Sequence, residues 1–332
     1  LNLRPHIKTH KVPAIAKMQI ESGAVGITSA KVSEAEIMAD AGIKDILIAY
    51  PIYGERKLKR LMNLAEKVEI TVALDSVVVA EGISKKAKET GKKLGILVEA
   101  DVVMHRCGWK IGEEFVDATK NIRDMPGLDL KGVMVYPGYI SEKIDPKIEG
   151  SLGKLAEDIN RIYDLFNSSG IEINVLSGGS TPSAFLSHKL KGLTEIRPGT
   201  YVYNDMNTIF WDCAEEKDCA LKVLTTVVST TVKGQIIIDA GSKTMSGDTL
   251  APKKGRGFGK IVGYENLFIK KMNEEHGYVD ISGSGEKFKV GDKLLVIPNH
   301  CCSTNNMHDE AYGIRNNKVE LSWKIAARGK LK

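Results

Sequence analysis

Two lysines, two histidines and an arginine fall within eight residues near the start of the chain, in Arg4-Pro5-His6-Ile7-Lys8-Thr9-His10-Lys11. Most such clusters are solvated basic turns. Pro5 and the alternation of His6, Lys8 and His10 favour an extended segment instead, with those three side chains on one strand face and Ile7 and Thr9 on the other. A lysine among other cations is disfavoured as the ammonium, which suits it to Schiff-base chemistry. The cluster could equally bind a phosphate, or do both. Lys11 is expected to begin the following helix.

Two later stretches have the composition of phosphate loops. In Ser177-Gly178-Gly179-Ser180-Thr181-Pro182 the glycines admit a close ligand, Ser180 and Thr181 offer hydroxyls, and Pro182 suits the first turn of a helix whose free N–H groups attract anions. Alone, such a run is often a turn with a helix cap. Arg197-Pro198-Gly199-Thr200-Tyr201 ends the next expected strand and could close the other side of the same phosphate. A molecule that brings both an aldehyde and a phosphate to such a place is pyridoxal phosphate.

Pro298-Asn299-His300-Cys301-Cys302-Ser303-Thr304-Asn305 carries a different chemistry. On a strand, His300 and Cys302 would share a face and could grip one borderline ion, zinc first, leaving open positions for a substrate. A buried cysteine pair beside a surface histidine accounts for this run equally well. Cys301 would point into the core, and His308 is a weak third-ligand candidate. In Met104-His105-Arg106-Cys107-Gly108, Arg106 either contacts a cofactor oxygen or pairs with Glu99 or Asp101. Trp109, Trp211 and Trp323 are assigned to packing.

The elements that must position these groups alternate between short apolar runs and amphipathic stretches as far as residue 205. After the opening strand come strands at Ala24 to Thr28, Asp45 to Tyr50, Glu69 to Leu74, Leu94 to Ala100, Gly132 to Tyr136, Ile173 to Leu176 and Thr194 to Arg197. Eight β/α units predict a closed (β/α)8 TIM barrel over residues 1–205, with its site at the C-terminal ends of the strands. Lys8, His10, Tyr50, Asp75, Glu99, Arg106, Tyr136 and both candidate loops fall at those ends. From about residue 206 the chain turns to β-branched runs and Gly-rich turns, which predicts a mainly antiparallel β domain over 206–332.

Composition narrows the classes further. The chain has 332 residues and a net charge of +5 spread over mixed-charge helix faces, which does not argue for nucleic acid. No apolar run approaches a membrane span of ~20 residues. Five cysteines form no disulfide framework for this length and suit a reducing cytoplasm.

Taken together, these motifs resemble the alanine racemase-type (fold type III) pyridoxal phosphate enzymes, in the branch of metal-dependent D-serine dehydratases and D-threonine aldolases. The resemblance spans nearly the whole chain and also takes in Tyr136-Pro137-Gly138 and Asp239-Ala240-Gly241-Ser242-Lys243. It implies Lys8 as the covalent anchor of the cofactor, with His10, Tyr136, Ser177, Gly179, Ser180, Thr181, Gly199, Thr200 and Tyr201 around it. It implies Lys8, Tyr136 and Arg106 as catalytic groups, His300 and Cys302 as ligands of zinc or manganese, and a homodimer. The implied activity is a lyase on D-3-hydroxy amino acids, foremost D-serine dehydratase, with D-threonine aldolase and an amino-acid racemase as alternatives.

Two features set the chain apart from that pattern. The run Asp101-Val102-Val103-Met104-His105-Arg106 lacks the family's glycine after the acidic residue. The metal pair is His-x-Cys where aldolases more typically carry His-x-Asp, and Tyr139 to Lys147 contains no histidine. Both points concerning histidine and metal lean toward a dehydratase.

Overall fold

The computed structural model describes residues 1–138, 148–250 and 257–332, so the Tyr139 to Lys147 loop lies outside the described residues. The chain divides into two compact units, Leu1–Gly199 with Lys330–Lys332, and Thr200–Gly329.

In the first unit, strands β1 (Asn2–Leu3), β2 (Ile27–Ser29), β3 (Asp45–Ile48), β4 (Glu69–Leu74) and β5 (Leu94–Asp101) are followed by a two-residue β6 (Trp109–Lys110). Then come β7 (Leu128–Val135), β8 (Val175–Gly178) and β9 (Glu195–Ile196). All pair in parallel in the order β1-β9-β8-β7-β5-β4-β3-β2, with β6 added beside β5. A parallel bridge between His6 and Thr28 joins the two ends and completes the ring. The eight expected strands are therefore present, and β6 is an addition. Strands covered on both faces read as continuous apolar runs, as in β5, where only Asp101 escapes burial. Leu47, Ala73, Leu97 and Met134, from four neighbouring strands, form one buried cluster.

The intervening helices are α1 (Pro13–Glu21), α2 (Val32–Asp40), α3 (Glu55–Ala65), α4 (Val77–Thr90), α5 (Glu113–Arg123) and α6 (Ile148–Ser168). Their apolar positions recur at helical spacing: α3 buries Leu58, Leu61, Met62 and Leu64 while Arg56, Lys57 and Lys59 face water.

In β7, Gly132 admits no side chain. Ile96 pairs with Leu130 but Leu97 pairs with Gly132, so Lys131 is a bulge in β7. Gly132 has φ +145°, and a Cβ there would run into the Val175 carbonyl oxygen on β8. Gly132→Ala is expected to cost roughly 2–4 kcal/mol, read as a lower urea midpoint; an unchanged midpoint would show that β8 can move aside.

The second unit holds α7 (Met206–Phe210), β10 (Val223–Ser229), β11 (Gln235–Ile238), α8 (Ser242–Met245), β12 (Gly259–Ile261), β13 (Ile269–Met272), β14 (Gly277–Asp280), β15 (Lys293–Pro298) and α9 (Cys301–Asn305). It ends with a hairpin of β16 (Glu310–Arg315) and β17 (Lys318–Lys324). Six strands form an antiparallel sheet in the order β12-β15-β10-β11-β14-β13, and an antiparallel bridge from Lys260 to Phe268 brings its edges together. Val227, Ile236, Ile238, Ile261, Ile269, Val279 and Val296 fill its interior. Among the described residues no helix is long and apolar enough to cross a membrane. All five cysteines are free.

Candidate functional site

The basic segment departs from the extended reading at His6. Sheet pairing carries the chain that far, with His6 N–H donating to the Pro198 carbonyl at 2.9 Å and Ile7 N–H to the Thr28 carbonyl at 2.8 Å. Then it turns, closed by Lys11 N–H to the Ile7 carbonyl at 2.8 Å. Lys8 and His10 thus do not share a strand face with His6: alternation holds only while neighbouring strands take up the backbone groups, and here none follows past His6. Lys8 is exposed, whereas Thr9, His10 and Lys11 beside it are buried. Helix α1 starts at Pro13 and not at Lys11, which sits at φ +55° with its ammonium 2.5 Å from Glu34 Oε1.

Both histidines serve this turn through Nδ1. The His6 ring accepts Lys8 N–H at 3.3 Å and the His10 ring accepts Val12 N–H at 3.1 Å. Burial, followed by the charges of Lys8, Arg197 and Lys11, holds His6 well below the usual imidazole range. A neutral ring that accepts at Nδ1 carries its proton on Nε2.

Of the expected loops, the Arg197-Pro198-Gly199 run packs close to this turn. A Cβ on Gly199 would lie 3.0 Å from Thr9 Oγ1 and 3.1 Å from the His6 carbonyl, so only glycine leaves that approach open. Gly179 takes φ +76°, which disfavours other residues there. Ser177 is fully buried, donating to Glu195 Oε1 at 2.5 Å and accepting from Arg197. Arg197 also donates to the Val135 carbonyl at 3.0 Å. Arg4 meets the other Glu195 oxygen at 2.9 Å and Asp45 at 2.6 Å. A polar chain Asp45–Arg4–Glu195–Ser177–Arg197 therefore crosses the barrel interior. Nothing local in the sequence marks Glu195 for this, because its partners are 191 and 18 residues away.

The helix expected after Pro182 does not form. Thr181 to Leu186 runs as successive turns into a short 3-10 segment, Ser187–Lys189, because Ser183 and Ser187 hydroxyls divert the backbone groups a helix would use. Ser180 N–H donates to Ser183 Oγ and its hydroxyl to the Gly138 carbonyl, each at 2.9 Å, and Thr181 is buried. Thr200 and Tyr201 open a 3-10 turn, Thr200–Val202, at the head of the second unit.

At the end of β5 the loop to Arg106 is held by acids. Asp101 accepts from His105 N–H at 3.0 Å and lies 2.8 Å from its ring, and Asp75 accepts Gly108 N–H at 3.0 Å. The Arg106 guanidinium lies over the Tyr136 ring, 4.8 Å from its centroid. Beneath them Glu99 is 4% exposed. Burial pushes its carboxyl up to about 7, and Asp75 and Asp101 add to this against the pull of Arg106 and Arg197.

A carboxyl raised in this way contributes no penalty below the unfolded value of 4.5, and destabilises the fold progressively as pH rises to about 7. Over that window the wild type should lose roughly 3 kcal/mol more stability than Glu99→Gln. Urea unfolding at stepped pH reads this, and parallel slopes for the two proteins would contradict it.

In the second unit, strand β15 delivers Asn299 and His300, but Cys301–Asn305 is the helix α9, not a strand. His300 and Cys302 are therefore neighbours at the N-cap and in the first turn. Tertiary hydrogen bonds make this turn: Asp205 Oδ2 accepts Cys301 N–H at 2.9 Å, and Asn299 Nδ2 donates to the Gly257 carbonyl at 2.7 Å. Burial works against the charged form of His300, yet its hydrogen bond to Cys302, the charge of that residue, Asp205 and Asp248 raise it to about 9. Its Nδ1 is 3.1 Å from Asp248 Oδ2, an acid no sequence pattern marked. Cys302 Sγ lies 4.0 Å from Thr200 Oγ1. Cys301 is fully buried, as expected, and His308 engages the Thr244 carbonyl at 3.0 Å.

The donor chemistry suits the groups that the resemblance implies. An exposed primary amine beside a glycine-tight turn fits an aldehyde cofactor. An imidazole hydrogen-bonded to a thiol is a borderline-to-soft pair suited to zinc with open positions, although among the described residues no three His, Cys, Asp or Glu side chains cluster as a metal cage.

Residues 2–207 match the family described as "Alanine racemase, N-terminal domain", and residues 220–314 match "Putative serine dehydratase domain". The chain is 32% identical over 330 residues to a D-threonine aldolase of Arthrobacter sp, covering 98% of this chain and 85% of that one. It is 31% identical to the D-threo-3-hydroxyaspartate dehydratase of Delftia sp. (strain HT23), covering 92% of this chain and 84% of that one. The structure of that dehydratase aligns with a TM-score of 0.88 over 98% of this chain and 90% of its own, at 27% identity. It has also been solved as a histidine-to-alanine mutant and, two positions further on, as a cysteine-to-alanine mutant in the metal-free form. The D-threonine aldolase from Filomicrobium marinum aligns with a TM-score of 0.91 over 100% of this chain and 90% of its own, at 28% identity.

Proposed function

The chain belongs to the alanine racemase-like, fold type III pyridoxal phosphate enzymes and is a lyase, and on that footing we propose that it eliminates water from D-3-hydroxy amino acids, with D-serine the first candidate. The observation that carries the dehydratase reading is the His300-x-Cys302 pair, whose spacing equals that of the two residues mutated in the Delftia dehydratase, the cysteine mutant having been solved in the metal-free form.

Bound pyridoxal phosphate supplies an aldehyde for the substrate amine and an electron sink for charge developing at Cα. Zinc, or manganese, held by His300 and Cys302 supplies a Lewis acid for the 3-hydroxyl. Lys8 would anchor the cofactor, and its amine, when free, would take the Cα proton of the substrate. Loss of that proton and of the β-hydroxide, followed by uptake of water, would convert D-serine to pyruvate and ammonia. Arg106, over the Tyr136 ring, provides cationic charge at the end of β5. Gly179, Ser180, Thr181 and Gly199, with Thr200 and Tyr201 next in the same run, would hold the cofactor's phosphate.

D-threonine aldolase is the second reading, favoured by the 32% identical aldolase. There the hydroxyl proton is removed, the Cα–Cβ bond breaks, and glycine and an aldehyde result. Incubating the holoenzyme with D-serine and with D-threonine decides between them. Pyruvate from D-serine supports the dehydratase, and glycine with acetaldehyde from D-threonine alone replaces it by the aldolase. Activity that survives EDTA would remove the metal from either scheme.

A further inference from the structure

We propose that the buried ion pair between Lys11 and Glu34 decides which lysine of the Arg4–Lys11 segment anchors the cofactor, by fixing the turn that presents Lys8 and sequestering the amine of Lys11. The inference rests on the reading of Lys8 as the anchor and adds a positioning residue, Glu34, that no motif contains.

The two lysines are three residues apart, each a primary amine on a long flexible stem. Condensation with an aldehyde needs the nitrogen lone pair: the amine adds to the carbonyl carbon, and the oxygen departs as water. Proximity alone does not discriminate between two such amines. Their surroundings do. Lys8 is exposed, while Lys11 is 5% exposed with its nitrogen 2.5 Å from Glu34 Oε1. The other oxygen, Glu34 Oε2, accepts the N–H groups of Ala30 at 2.9 Å and Lys31 at 3.2 Å, so the carboxylate is pinned to the start of α2. Glu34 itself is 2% exposed.

The backbone depends on the same pair. Lys11 has φ +55°, a left-handed conformation unfavourable to a residue with a Cβ, and its N–H closes the turn on the Ile7 carbonyl. An ammonium buried without its carboxylate is costly enough to leave that position. Loss of Glu34 therefore releases the turn and frees a second amine near the first.

The test is chemical trapping. Holoenzyme reconstituted with pyridoxal phosphate is reduced with borohydride, which converts the C=N bond to a stable amine, and the modified lysine is located by peptide mass mapping. In the wild type and in Lys11→Arg, which keeps the ion pair, the label should fall on Lys8 alone. In Glu34→Gln, labelling of Lys8 should drop roughly tenfold with label appearing on Lys11. In Lys11→Met, Lys8 labelling should drop with no second site. Restoration by arginine but not by methionine separates positioning from general destabilisation, and that pair still decides the matter if Glu34→Gln does not fold. Wild-type labelling of Lys8 in both Glu34→Gln and Lys11→Met overturns the inference while leaving the anchor intact. No label on Lys8 in the wild type overturns the anchor itself.

Discussion

Lys8→Ala is expected to abolish covalent attachment of pyridoxal phosphate, and with it the absorbance of the lysine-bound cofactor, while lowering turnover by roughly 10³-fold or more. The size of the effect follows from the two roles proposed for this one amine, cofactor anchor and acceptor of the Cα proton. The side chain is exposed and makes no packing contribution its removal would forfeit, so unfolding free energy should stay within about 0.5 kcal/mol of the wild type. That combination separates chemistry from structure. A variant that keeps the absorbance of the lysine-bound cofactor, or that turns over at the wild-type rate, would refute the assignment.

Cys302→Ala is expected to remove bound metal, weakening its retention by roughly 100-fold or more, and to abolish lyase turnover while cofactor labelling of Lys8 persists. The adjacent cysteine is the natural control. Cys301 is fully buried, with its N–H on Asp205, and Cys301→Ala should cost about 1 kcal/mol of stability yet keep the metal. Metal content by atomic emission, measured on both variants after dialysis, reads the difference directly. Equal metal in Cys302→Ala and wild type would move the metal site elsewhere, and parallel loss in both variants would assign it to the turn as a whole.

Much of the scaffold was legible because its signals are local. A parallel strand covered on both faces needs an unbroken apolar run, and a helix lying on such a sheet needs apolar residues at a spacing of three and four. Asp45 to Ile48, Leu94 to Asp101 and the buried side of α3 carry those marks within a few residues. The Ser-Gly-Gly-Ser and Arg-Pro-Gly runs could be located for the same reason, since glycine beside hydroxyl residues after a strand is a pattern of adjacent positions.

The conformations at the site were decided by tertiary contacts. His6, Lys8 and His10 alternate as strand residues do, but the barrel closes at His6 and Thr28 and leaves the next residues without a strand to pair with, so they turn. His300 and Cys302 look equally strand-like, yet Asp205 and Asn299 organise them as the start of a helix. Pro182 suggested a helix that serine hydroxyls prevent.

By itself, then, the sequence determined the order of strands and helices, the chemistry available at each strand end, and the amine and the thiol–imidazole pair to examine. Only the tertiary structure decided which polar groups are buried together: Lys11 with Glu34, and Arg197 with Ser177 and Glu195. Apolar patterning says which face of an element turns inward, but not which distant element arrives there. The partner of a buried charge is set by barrel closure, and no spacing along the chain records it.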